Sequence, residues 1–167
     1  MVTAPKKIRR RRPPGEVAVE QTHDAAVIAA MLDRAGMTAA ADRNDNAECF
    51  LLAYWGDSPV GFAAVETWVD AALMGPLFVL ESMRRRGVGA ALVRAVRVAA
   101  HTRGAQRLYA SASGRCIDYL ARWGFIEVAF AEIVKVFGDV TMLQRSNQAP
   151  KCRGVCLDIS RDGLIAR

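Results

Sequence analysis

Histidine is nearly absent from this chain: His23 and His101 are the only two in 167 residues. Of the four cysteines, Cys49, Cys116, Cys152 and Cys156, only the last two are close in sequence. Paired zinc-ligand spacing therefore cannot be assembled, no metal is expected, and the cysteines read as ordinary reduced residues of core or strand. Long apolar runs are missing too. The stretches Ala71 to Leu80 and Val88 to Ala100 are interrupted by Gly, Pro or Arg, which excludes a bilayer-spanning helix. Met1 to Pro14 carries positive charge but lacks the apolar segment of a secretory signal, so a cytoplasmic protein is expected. No Gly-Lys-Ser or Gly-Lys-Thr ending and no Gly-x-Gly-x-x-Gly occurs, which excludes the mononucleotide and dinucleotide phosphate loops.

What is present has the balance of a soluble globular domain, with 52% apolar and 24% charged residues. The length suits one core rather than two. The net charge of +6 resides in one place, since the run Lys6-Lys7-Ile8-Arg9-Arg10-Arg11-Arg12 carries six positive charges and the remainder is near neutral. Residues 1–15 therefore read as a solvated basic tail ahead of a single domain over residues 16–167. The tail could touch phosphate backbones by charge, but no aromatic residues interleave with its arginines to stack bases, and nucleic acid is not expected as a partner.

Along the domain, Glu16 to Glu20 alternates as a half-buried strand does, and Thr22 offers an N-cap for a helix running towards Gly36. Residues Met37 to Asn46 read as a loop or a poorly packed short helix. Cys49 to Trp55, Val60 to Trp68 and Ala71 to Leu80 are strands, the first two joined by Gly56-Asp57-Ser58-Pro59, and they predict an antiparallel meander. From Val88 the period becomes helical, with Val88, Ala91, Leu92, Ala95, Val96 and Ala99 on one side and Arg94, Arg97 and Arg103 on the other, up to Gly104. A short strand at Leu108 to Ala110, a helix from Cys116 to Trp123, a strand from Phe125 to Phe130 and a last strand at Gly154 to Ser160 complete the order. Ile133 to Asn147 is ambiguous. The class is α/β, a mixed central sheet covered by helices.

The chemistry concentrates in Leu77-Phe78-Val79-Leu80-Glu81-Ser82-Met83-Arg84-Arg85-Arg86-Gly87-Val88-Gly89-Ala90: apolar strand, basic glycine-rich turn, helix start. A helix start presents unpaired N–H groups and the positive end of the helix dipole, which bind phosphate. Gly87 and Gly89 remove the Cβ atoms that would hold a phosphate off, and the arginines add charge. A plainer reading lets the glycines serve only the turn.

Arg84-x-x-Gly87-x-Gly89 after an apolar strand, followed by Trp123-Gly124-Phe125, resembles the GNAT superfamily of N-acetyltransferases over roughly Val17 to Phe130. The resemblance implies a three-layer GNAT-like fold. It implies acetyl-CoA as cosubstrate, its pyrophosphate held by the N–H groups of Arg85, Arg86, Gly87, Val88, Gly89 and Ala90 and its pantetheine arm paired with Phe78, Val79 and Leu80. It also implies direct attack by an amine. Within the superfamily the chain looks most similar to amino-acid acetyltransferases of the arsenic-resistance and N-acetylglutamate-synthase type. Members of that group often carry Arg-Ser before the apolar residues of the cofactor strand to grip a carboxylate, where this chain has Gly75-Pro76.

An ammonium must lose a proton before it attacks a thioester, and Glu66, late in an apolar strand, is the first candidate base, with Glu81 the second. The superfamily's proton-donating Tyr falls at Leu120. The neighbouring Tyr119, one helical step of about 100° away, and Cys116 are the candidates to protonate the departing thiolate. A covalent route through Cys116 lacks a histidine near it in the order of elements. Three functions follow: transfer to a primary amine of a small molecule, a non-catalytic acyl-CoA-binding module, or acetylation of a protein amine with the basic tail docking the domain. Exposed strand edges and an apolar C-terminal segment suit a homodimer.

Overall fold

Val17–Thr22 forms β1, and the near-continuous apolar runs Cys49–Trp55, Ser58–Trp68 and Ala71–Val79 form β2, β3 and β4, the last three making the expected meander. The computed structural model describes residues 15–37, 49–138 and 152–160. The basic tail up to residue 14, the loop or short helix expected over 38–46 and the ambiguous residues 139–147 lie outside the described residues. Helix α1 spans Ala25–Arg34, α2 Val88–Thr102, α3 Arg115–Ala121 and α4 Phe130–Phe137, with β5 at Arg107–Ser113, β6 at Ile126–Val128 and β7 at Cys152–Asp158. Among the described residues the sheet has seven strands in the order β1-β2-β3-β4-β5-β7-β6. Only β4 and β5 run parallel. No helix of the described residues is long and apolar enough to cross a membrane.

Alternation along the strands divides the side chains between two faces. Ala53, Ala63 and Val65 meet Val88, Leu92, Val93 and Val96 of α2 on one face. On the other, Leu52, Tyr54 and Phe62 meet Met31 and Leu32 of α1, while Leu73, Tyr109 and Cys156 meet Ile133 and Phe137 of α4. The result is the α/β three-layer arrangement.

Several local expectations change. Asp24, not Thr22, caps α1, accepting from the backbone N–H groups of Ala26 and Val27 at 3.1 and 3.3 Å; Thr22 Oγ1 accepts instead from Asp24 N at 3.1 Å. Arg97 is not on the solvent side of α2. It stands one turn beyond Val93 and one before Ala100, in the buried stripe, and is only 9% exposed. The strand expected to reach Phe130 ends at Val128, and Phe130 begins α4. Ile133 and Phe137, at i and i+4, supply that helix's buried side. Strand β7 inserts between β5 and β6, two elements adjacent in sequence but for one helix.

Helix α4 is held by more than apolar contact. Phe137 meets Trp68 and Tyr109 edge-on, with ring centroids at 4.8 and 5.4 Å, and the Tyr109 hydroxyl donates to Glu132 Oε1 at 3.1 Å. Burial pushes the Tyr109 phenol above its ordinary 10.0 and the facing Cys156 thiol above its ordinary 9.0. The fold thus favours both neutral forms. Their contribution is complete below those ordinary values and is lost as pH rises through the folded ones. Thermal midpoints measured across the alkaline range are expected to hold to about pH 9 and then fall, with a shallower fall in Tyr109→Phe; an unchanged slope in that variant would remove Tyr109 from the explanation.

Candidate active site

The site begins with a parting of two strands. Residues Ala71 to Met74 of β4 pair with Arg107 to Ala110 of β5, and there the pairing stops, although β4 continues to Val79 and β5 to Ser113. The cause lies in β4. Ala63 faces Leu77 and Val65 faces Met74, so the single residue Ala64 stands against Gly75-Pro76. The extra residue is a β-bulge, which bends its strand and increases twist, and Pro76 has no N–H to give to a neighbour. The dipeptide noted in the sequence only for what it lacks thus begins the split. The sequence signal that could have found it was a proline inside a nine-residue strand.

Beyond Val79 the chain passes through a 3₁₀ turn, Glu81–Met83, whose exposed Glu81 accepts from Arg84 N through its carbonyl at 3.2 Å. It then enters α2 through Gly87 at φ +82°, a left-handed conformation natural to glycine. Gly87 has no side chain to cap the helix, and the first intrahelical bond is Ala91 N to Gly87 O at 2.9 Å. The N–H groups of Val88, Gly89 and Ala90 precede it and stand ready for an outside acceptor. A side chain at Gly89 would crowd its surroundings. An ideal Cβ there would lie 3.1 Å from Tyr119 Oη, 3.6 Å from its Cζ and 3.9 Å from Val79 Cγ2. This bare, dipole-positive cradle at the open end of the split fits a pyrophosphate.

The three arginines, all exposed, do different things. Arg84 folds back, its Nε donating to Val79 O at 3.4 Å. Arg86 lies over the Trp55 ring with Cζ 5.7 Å from the centroid, a cation–π contact that braces the loop against the end of β2. Arg85 is in the left-handed region at φ +62°, which costs a non-glycine residue roughly 1–2 kcal/mol. Strain of this kind persists at sites where the surroundings fix it. Arg85→Gly is expected to be neutral or up to about 1 kcal/mol stabilising in thermal unfolding while weakening acyl-CoA binding about three- to tenfold in calorimetry. Unchanged affinity would remove the side chain from the phosphate site.

Glu66 pairs with Leu73, one rung before the last β4–β5 pair. Alternation with Val65 turns it to the α1 and α4 side of the sheet, away from α2. It is 5% exposed. Phe78 stands opposite Phe62 with ring centroids at 5.7 Å, and Leu80 N is taken by Val60 O at 2.9 Å. Leu80 thus continues the β3–β4 pairing one residue past the end of β4. Leu120 is buried in the core at 3% exposure. Tyr119, rotated from it, reaches the first turn of α2 and meets Trp123 edge-on at 6.5 Å, with Arg94 over Trp123 at 5.5 Å. Cys116 is exposed on α3. His101 is in the last turn of α2, its Nδ1 3.0 Å from Ile159 O, about 20 Å along the helix from the loop. The structure brings together Val79, Arg84 to Ala90 and Tyr119 at one end of the split and sets Glu66 at the other. Trp55, Arg94 and Trp123 were not singled out for the site from the sequence, because their contacts join elements distant along the chain.

The model of the acetyltransferase (GNAT) family matches residues 13–125. Comparison with curated protein sequences finds no match. Among solved structures, N-acetylglutamate synthase from Neisseria gonorrhoeae, complexed with coenzyme A and N-acetyl-glutamate, is similar with a TM-score of 0.65 and 18% identity over 87% of this chain, which spans only 36% of that one. An acetyltransferase from Streptococcus agalactiae is similar at TM-score 0.67 and 13% identity, covering 85% of this chain and 98% of that one. A Mycobacterium tuberculosis protein in complex with CoA reaches TM-score 0.61 and 18% identity, covering 84% and 98%. With the family model covering both the meander and the glycine-rich loop, the chain belongs to the acetyltransferase (GNAT) family.

Proposed function

We propose that this chain transfers an acyl group, acetyl first, from acyl-CoA to a primary amine of a small molecule, by direct attack within a ternary complex. The observation that carries the reading is the position of the Gly87–Gly89 helix start at the open end of the β4–β5 split. When bound, acyl-CoA supplies the activated thioester. The N–H groups of Arg85 to Ala90 hold its phosphates, and the unpaired β4 edge up to Val79, with Phe78 behind it and Leu80 closing the strand end, offers backbone partners to the pantetheine arm. Glu66 receives the proton that an ammonium must lose, directly or through water, on the face opposite α2. A thiol route is disfavoured, because neither histidine is placed to activate Cys116.

A second reading, an acyl-CoA-binding module without turnover, is favoured by one observation: the position of the superfamily's proton donor is a core leucine, Leu120. The two separate in one assay. Acetyl-CoA is titrated into the protein calorimetrically, and free CoA release is followed against amino acids, polyamines and aminoglycosides. Binding with amine-dependent release supports the enzyme, binding with no acceptor turned over supports the module, and absence of binding overturns both.

A further inference from the structure

We infer that Tyr119 is a binding residue for the phosphate end of the acyl donor and not the proton donor to its sulfur; the inference rests on the acyl-CoA reading above. Three observations carry it. The Tyr119 hydroxyl lies 3.1 Å from the Cβ position of Gly89, against the first turn of α2, whose N–H groups have no partner within the helix. The same position is 3.9 Å from Val79 Cγ2, at the far end of β4. The last β4–β5 rung is at Met74, five residues earlier, which is about 16 Å along an extended strand. Glu66 belongs to that rung's neighbourhood, paired with Leu73.

The chemistry requires separation. In an acyl-CoA the pyrophosphate and the sulfur are at opposite ends of the pantetheine arm. A base near the closed end of the split and an anion cradle at its open end fix which way that arm runs. A hydroxyl beside Gly89 is thus on the phosphate side. A phenol there donates a hydrogen bond to an anion, a charge-assisted bond of the stronger kind. The ring is held for this by Trp123, itself covered by the Arg94 guanidinium. Rotation by one helical position from Leu120 explains the change of role: the residue facing the core is apolar, and the tyrosine is carried round to the cofactor helix.

Tyr119→Phe removes only the oxygen and keeps the ring contacts, so folding is preserved and a circular-dichroism melt controls for it. The expected result is a rise of about tenfold or more in the dissociation constant for CoA, measured by calorimetry, and a matching rise in KM for acetyl-CoA. Turnover at saturating acetyl-CoA should stay within about twofold of wild type. With S-acetyl-N-acetylcysteamine, a thioester without phosphates, variant and wild type should react equally. An unchanged dissociation constant for CoA overturns the inference, as does a fall in turnover with both donors, the signature of a lost proton donor. Wild-type protein that binds no CoA sinks the acyl-CoA reading itself, and the inference with it; that outcome is seen before any variant is made.

Discussion

Gly89→Glu is expected to reduce acetyl-CoA affinity at least about a hundredfold, to the loss of measurable binding in calorimetry, while the protein still melts cooperatively. Two effects act in the same direction. The new Cβ would come within 3.1 Å of Tyr119 Oη, so the tyrosine must give way before any further atom is placed. The carboxylate would then share the helix start with a pyrophosphate. Like charges about 5 Å apart repel by roughly 1–3 kcal/mol per pair at the effective dielectric of a protein surface, and about 2.7 kcal/mol corresponds to a hundredfold. Helix stability is not the issue, since an acidic residue in the first turn is favourable to the dipole. Retained binding in a folded variant would move the phosphate site away from α2 altogether.

The second large effect belongs to Glu66→Gln. The amide keeps the volume and removes the base, so turnover should fall roughly 10²- to 10³-fold, the usual worth of positioned proton transfer. KM for acetyl-CoA should change little, because the carboxylate lies at the closed end of the split, away from the loop. Full activity in the variant would leave Glu66 a structural residue of the sheet, with water or the acceptor supplying the base.

Much of this was legible in the chain. Strand β2 appears where an apolar run is bounded by turn residues and α2 starts at Val88 where a helical period sets in, because both signals are local. The glycine-rich turn was legible for the same reason: Gly87 and Gly89 state a backbone requirement that does not depend on the remainder of the fold. What escaped was non-local. The run from Phe125 onward is apolar enough for strand or helix, and the choice at Phe130 is made by Tyr109, Trp68 and Cys156, which come from three other strands. Arg97 breaks the pattern of its helix, so periodicity alone sends it to water. Tyr119 could be rotated off its family position by counting residues, but counting does not say what it then meets. Gly89 meets it across 30 residues, a juxtaposition made only when α3 packs beside α2.

The cation–π contact between Arg86 and Trp55 gives the molecule an optical handle. Indole emission responds to a nearby positive charge and to its displacement, and Trp55 lies under an arginine of the cofactor loop. Trp123, beneath Arg94 and beside Tyr119, views the same end of the split from the opposite wall. The third tryptophan, Trp68, is packed on Phe137 at the other end of the sheet and provides an internal constant. Occupancy of the phosphate cradle can therefore be followed as fluorescence of the native chain, without a label and without turnover.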